Sequence, residues 1–164
     1  DVRRYLWDDR VVTPEETDEI VQRSGELFAE RGLGLWAVHE KGCSPLVGFG
    51  GYWYFRDPPD LELILGLHPD RWRRGYATEA GRALIRYGFE ALGFAEIRGS
   101  TDAPNDASIR LMPRLGMMRE GRRTVGGLDT VFYRALRDAW GPGADRQADP
   151  ATSPTPSART TGTR

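Results

Sequence analysis

From Leu61 to Leu67 the chain reads Leu-Glu-Leu-Ile-Leu-Gly-Leu, and shortly after it comes Arg71-Trp72-Arg73-Arg74-Gly75-Tyr76-Ala77-Thr78-Glu79-Ala80. A nearly continuous apolar run of this length suits a buried central strand. The second stretch is a basic, glycine-containing turn that opens a strongly patterned helix. Strand, turn and helix in this order constrain the fold to the mixed α/β class. They also supply an anion seat, because the first amides of a helix lack an intrahelical acceptor and point outward at the positive end of the helix dipole. Gly75 lets the backbone come close to such an anion.

The rest of the chain reads as one domain over residues 1–140. Thr13-Pro14-Glu15-Glu16 combines an N-cap threonine, a proline in the first helical position and a glutamate three residues after the cap, which predicts a helix from Pro14 to about Arg31. Leu33 to Glu40 and Leu46 to Phe55 flank the turn-forming Lys41-Gly42-Cys43-Ser44-Pro45 and predict an antiparallel hairpin. Asp57-Pro58-Pro59-Asp60 breaks the chain before the central strand. The helix after Gly75 sets Ala80, Leu84, Gly88 and Ala91 on its apolar side, with Gly93 as its closing glycine. A strand from Ala95 to Thr101 follows, then a helix capped by Asn105 or Asp106 and ended by Gly116. Pro113 should shorten that helix's last turn. Two final strands, Met118 to Thr124 and Thr130 to Leu136, are joined through Val125 to Asp129. Residues 141–164 are mostly Pro, Ala, Ser, Thr, Asp and Arg, a composition that reads as a disordered tail. The chain opens on Asp1 close to a helix, and the expectation is a domain lacking its first strand.

Composition narrows the functional classes. Among 164 residues, 23 basic against 24 acidic side chains leave no net field pulling the whole protein toward nucleic acid or lipid. A nucleic-acid patch at Arg71 to Arg74 stays a minor reading without a second basic stripe. The lone Cys43 excludes an internal disulfide and fits a reducing compartment. No apolar run approaches the roughly 20 residues that span a bilayer, and no signal peptide is visible. The expectation is a cytoplasmic protein, monomer or homodimer. His39 and His68 have no partner at ligand spacing, so no metal is expected.

The basic turn lacks the Gly-x-Gly-x-x-Gly of dinucleotide-binding folds and the Gly-Lys-Ser/Thr of nucleoside triphosphate sites. What it does have, with a second block at Asn105-x-x-Ser108-x-Arg110-Leu111 and Arg114-Leu115-Gly116-Met117, resembles the GNAT N-acetyltransferases, specifically the ribosomal-protein N-terminal acetyltransferase type. The family's acetyl-CoA signature is Gln or Arg, two residues, Gly, one residue, Gly or Ala. It falls on Trp72, Gly75 and Ala77, with Trp in place of the usual polar first residue, and Trp72 to Ala80 closely matches the subgroup's Trp-x-x-Gly-Tyr-Ala-Thr-Glu-Ala. The resemblance covers about Arg4 to Arg137.

The resemblance implies a mostly antiparallel sheet whose central strands splay to admit acetyl-CoA, and acetyl transfer to a primary amine, either a protein N-terminus or a small molecule. The backbone of Leu65, Gly66 and Leu67 would pair with the pantetheine arm. The amides of Arg73, Arg74, Gly75, Tyr76, Ala77 and Thr78 would hold the pyrophosphate. The side chains of Arg71, Arg73 and Arg74 either reach outer phosphates or are simply solvated. Asn105 and Ser108 would lie near the pantetheine and the thioester sulfur, or merely cap their helix. Glu62 interrupts the apolar strand and is the candidate general base, since burial raises a carboxyl pKa toward neutrality; its alternatives are an outward salt bridge, with water as the base. Many relatives carry a tyrosine as general acid where this chain has Met112, which leaves Ser108 or a water as proton donor. Tyr52, Trp53, Tyr54 and Phe55 line either an acceptor cleft or the core. A non-catalytic acyl-CoA-binding module is the competing reading.

Overall fold

A computed structural model describes residues 5–6, 10–42, 45–55 and 61–141. Cys43, the Asp57-Pro58-Pro59-Asp60 break, the tail beyond residue 141 and most of the amino-terminal approach, where a missing strand was suspected, lie outside the described residues.

The first helix, α1, spans Pro14–Arg31. Its capping box is formed in both directions: Glu16 N donates to Thr13 Oγ1 at 3.2 Å and Thr13 N donates to Glu16 Oε2 at 2.8 Å. Gly32 ends it in the left-handed region at φ 68°. Strands β1 (Leu35–His39) and β2 (Leu46–Tyr54) form the expected antiparallel hairpin, and β2 pairs antiparallel with β3 (Leu61–Leu67). Helix α2 (Tyr76–Glu90), strand β4 (Glu96–Asp102), helix α3 (Asp106–Arg114) and the strands β5 (Met118–Val125) and β6 (Leu128–Leu136) complete the domain.

The six strands lie in the order β1-β2-β3-β4-β6-β5. Two antiparallel blocks, β1-β2-β3 and β4-β6-β5, meet at the parallel β3–β4 boundary, where Glu62 opposite Arg98 is the one registered pair. Past that point each strand stays with its own block, β3 with β2 to Leu67 and β4 with β6 to Asp102. Ala103 N extends the second attachment by donating to Asp129 O at 2.7 Å. The sheet therefore opens as a V with Glu62 and Arg98 at its vertex.

Two sequence readings need correction. The buried face of α2 is Gly81, Ile85, Gly88 and Phe89, while Ala80 and Leu84 are half-buried and Ala91 is exposed. The stripe is turned because both glycines admit neighbours: a Cβ at Gly81 would meet Leu115 at 2.8 Å, and one at Gly88 would meet Tyr52 Oη at 2.2 Å. The β5–β6 connection is shorter than Val125 to Asp129. Gly126 and Gly127, at φ 58° and 84°, close a two-residue turn in which Val125 already pairs with Leu128. The close of α3 is as expected: the helix stops at Arg114, and Gly116, left-handed at φ 78°, follows its cap Leu115, with Gly116 N donating to Pro113 O at 2.9 Å and Met117 N to Met112 O at 3.1 Å.

Candidate active site

Glu62 sits at the vertex of the V, 4% exposed, and accepts a hydrogen bond from Ser100 Oγ at 2.5 Å. Strand alternation sets it on the face opposite Leu63 and Leu65. The outward-pointing reading is corrected by burial: β3 is a central strand, so both of its faces are covered. Ser100 was not singled out in the sequence. Its relation to Glu62 depends on the β3–β4 register, and nothing local encodes that.

Beyond the vertex, the backbone of β3 loses its partner on the β4 side. His68 N donates to Val47 O at 2.8 Å. Because the bonding groups of an antiparallel strand alternate between its two edges, Leu65 and Leu67 present theirs to the opening instead. Trp72 Nε1 donates to the Leu67 carbonyl at 2.8 Å, which takes up the last of these acceptors. The indole thus ties the turn to the strand, a role its motif position alone did not reveal. Along the opening, the Leu65 amide and carbonyl and the Leu67 amide form a short edge able to pair with an extended, amide-bearing chain. Gly66 points its groups to β2, opposite Phe49.

At the wide end of the V the parallel strands both run into helix starts. Those starts differ in a telling way. Asn105 caps α3, its Oδ1 accepting from Ser108 N at 3.2 Å, so the capping reading of these half-buried residues holds. Helix α2, by contrast, has no side-chain cap hydrogen bond among the described residues. Its N-cap is Gly75 at φ 86°, and Arg73 just before it is left-handed at φ 59°. The amides of Tyr76, Ala77 and Thr78 at the first turn are thus left for an external acceptor. A Cβ on Gly75 would meet nothing within 4 Å. Arg73 and Arg74 are exposed beside this seat.

Met112 is 6% exposed and belongs to the hydrophobic core. The four aromatics of β2 and its end divide. Tyr52 is core, 1% exposed, with its hydroxyl donating to Leu84 O at 2.8 Å. Trp53, Tyr54 and Phe55, with Ile20, Leu35 and Ile64, line a cavity of about 170 Å³, and Trp53 is the β2 partner of Glu62. No group of three or more His, Cys, Asp or Glu among the described residues is arranged to hold a metal ion. No helix among them is long and apolar enough to cross a membrane.

A vertex carboxylate, an open strand edge and an uncapped helix start lie along one opening of the sheet, and comparison with known proteins gives the family of the chain. Residues 1–118 match the model of the acetyltransferase (GNAT) domain, and the chain belongs to that family. Among curated proteins, it is 37% identical over 145 residues to the uncharacterized N-acetyltransferase YnaD of Bacillus subtilis (strain 168), covering 85% of this chain and 82% of that protein. Among solved structures, the GNAT-family acetyltransferase from Bacillus anthracis superposes with a TM-score of 0.68 at 26% identity, over 84% of this chain and 82% of that one. The ribosomal-protein-S5-alanine acetyltransferase from Vibrio fischeri shares the fold, with a TM-score of 0.66 at 21% identity over 79% and 75% of the two chains. The chain is an N-acetyltransferase by family, and its fold is the mixed α/β architecture of that family.

Proposed function

We propose that this N-acetyltransferase uses acetyl-CoA and passes its acetyl group directly to a primary amine, without a covalent enzyme intermediate. The observation that carries the reading is the V itself, with Glu62 at its vertex and the uncapped start of α2 at its open end. The residues present fit the cofactor: the free edge of Leu65 and Leu67 suits the amides of pantetheine, and the amides of Arg73 to Thr78 suit a diphosphate. Acetyl-CoA supplies an activated thioester whose thiol, with a pKa near 8.5, is a fair leaving group. Glu62 takes the proton that the attacking amine must lose, directly or through a water, and Ser100 holds the carboxylate in place. An amide at the β3 edge donates to the oxygen that gains charge. Asn105 and Ser108, at the start of α3, complete the wall beside the thiol, and Ser108 or a water returns a proton to it.

The acceptor is a protein N-terminus or a small-molecule primary amine. The motifs from Trp72 to Ala80 and from Asn105 to Met117 favour the ribosomal-protein type. The cavity next to Glu62 offers apolar and aromatic walls from Ile20 to Ile64, so an acceptor with an uncharged side group gains more there than a polycation does. Buried Met112, standing where a tyrosine acid was expected, supports the non-catalytic acyl-CoA-binding reading as the second choice. Calorimetric titration with acetyl-CoA followed by thiol release against a panel of amines and amino-terminal peptides separates them. Binding without turnover on any amine would leave only the binding module.

A further inference from the structure

Two side chains that bracket the Gly75 turn converge on one oxygen of a residue from elsewhere in the chain. Tyr76, the first residue of α2, donates its hydroxyl hydrogen to Glu40 Oε1 at 2.7 Å, across 36 positions of sequence. Arg71, the last residue of the 3-10 turn Pro69–Arg71, sets its Nε 3.2 Å from the same oxygen. That nitrogen is buried and has no aligned hydrogen bond, so the Arg71–Glu40 contact is one of charge rather than of donor geometry. Glu40 itself follows the last residue of β1 and is only 20% exposed at its side chain.

Between the two anchors lie Trp72, Arg73, Arg74 and Gly75, with left-handed backbone at Arg73 and Gly75. A non-glycine residue in that region persists only where its surroundings hold it. The Trp72–Leu67 bond fixes the turn to β3, but nothing in it restrains the side facing α2. Glu40 does this.

We infer that Glu40 is a positioning residue for cofactor binding: by holding Arg71 and Tyr76 together it sets the direction in which the amides of Arg73 to Thr78 point. The inference rests on the reading of that turn as the diphosphate seat. It also assigns Arg71 a structural partner: its Nε side offsets the charge of the Glu40 carboxylate beside the anion seat. An unpaired carboxylate there would repel the cofactor.

The test is calorimetric titration of the full chain with acetyl-CoA, paired with kcat and KM, for Tyr76→Phe, Glu40→Ala and their double variant. Tyr76→Phe keeps the ring and loses only the hydroxyl, so it stays informative if Glu40→Ala folds poorly. Each single change is expected to raise the acetyl-CoA Kd about tenfold, the scale of one hydrogen bond to a charged group, and in Glu40→Ala the loss is expected in KM for acetyl-CoA rather than in kcat at saturation. The double variant is expected to bind no more weakly than Glu40→Ala, because both changes cut one link. In an Arg71→Met background, Glu40→Gln is expected to recover part of the lost affinity. Thr13→Ala, which uncaps the distant α1, should lower thermal stability without moving Kd. Wild-type binding with unchanged Kd in the variants, or strictly additive losses, overturns this inference alone. Absence of wild-type acetyl-CoA binding overturns both it and the cofactor assignment.

Discussion

Ser100 on β4 donates its hydroxyl hydrogen to Glu62 on β3 at 2.5 Å, across the parallel β3–β4 boundary. The bond orients a buried carboxylate at the point where the strands part. Glu62→Gln is therefore expected to lower kcat by about 100-fold or more, the usual scale of a general base, with acetyl-CoA affinity retained. Ser100→Ala should give a smaller loss in kcat and the same affinity. Steady-state kinetics with calorimetry checks both. Full activity in Glu62→Gln would assign the base to a water or another group.

The Gly75 position separates backbone from bulk. At φ 86°, with open space around a Cβ, Gly75→Ala should cost about 1 kcal/mol of stability from conformation alone. Gly75→Glu should cost a similar amount and abolish acetyl-CoA binding, because its carboxylate would stand against the phosphates. Arg73→Gly should retain binding, since the backbone and not the guanidinium carries the role. Thermal melts with and without acetyl-CoA distinguish these outcomes.

Trp72→Phe removes the indole donor from the Leu67 carbonyl while leaving the ring area mostly in place. The loss is expected to be about 1 kcal/mol, which corresponds to a fall in Tm of about 2–4 °C for a chain of this size. Acetyl-CoA affinity should fall as well, because the turn is no longer tied to the strand edge.

Much of this fold was legible in the sequence, for local reasons. The α1 capping box, the end of that helix near Arg31 and the apolar run of β3 are set by neighbours a few residues apart. The α2 stripe was read correctly at Gly88 and missed at Gly81, because glycine carries no hydropathy that shows it as core, yet Gly81 lies where Leu115 comes closest. The family was legible where a motif spells it, at Trp72 to Ala80 and Asn105 to Ser108. Ser100 against Glu62 and Glu40 against Tyr76 were not, since each depends on the register or approach of segments far apart in sequence.

Packing at Gly88 gives a test independent of function. A methyl there would lie 2.2 Å from Tyr52 Oη and 2.8 Å from Ile97 Cδ1, so Gly88→Ala is expected to destabilise by about 1–3 kcal/mol. Chemical denaturation measures it.

Tyr52 also predicts an alkaline limit. Burial first, then the nearby Tyr87, raise its hydroxyl above the ordinary value of 10.0. The folded state then holds a proton that the unfolded state gives up. The stabilisation is complete below about pH 10 and is lost as pH rises from there toward the folded-state value. In Tyr52→Phe that part of the alkaline slope, at most about 1.4 kcal/mol per pH unit, should vanish. Unfolding free energies between neutral pH and pH 11 decide it.

The most direct measurement is amine-dependent release of free thiol from acetyl-CoA by the full chain, with background hydrolysis subtracted. The account predicts release with at least one primary amine or amino-terminal peptide, abolished in Gly75→Glu and slowed in Glu62→Gln. Acetyl-CoA binding with no amine-dependent release across the panel would contradict it.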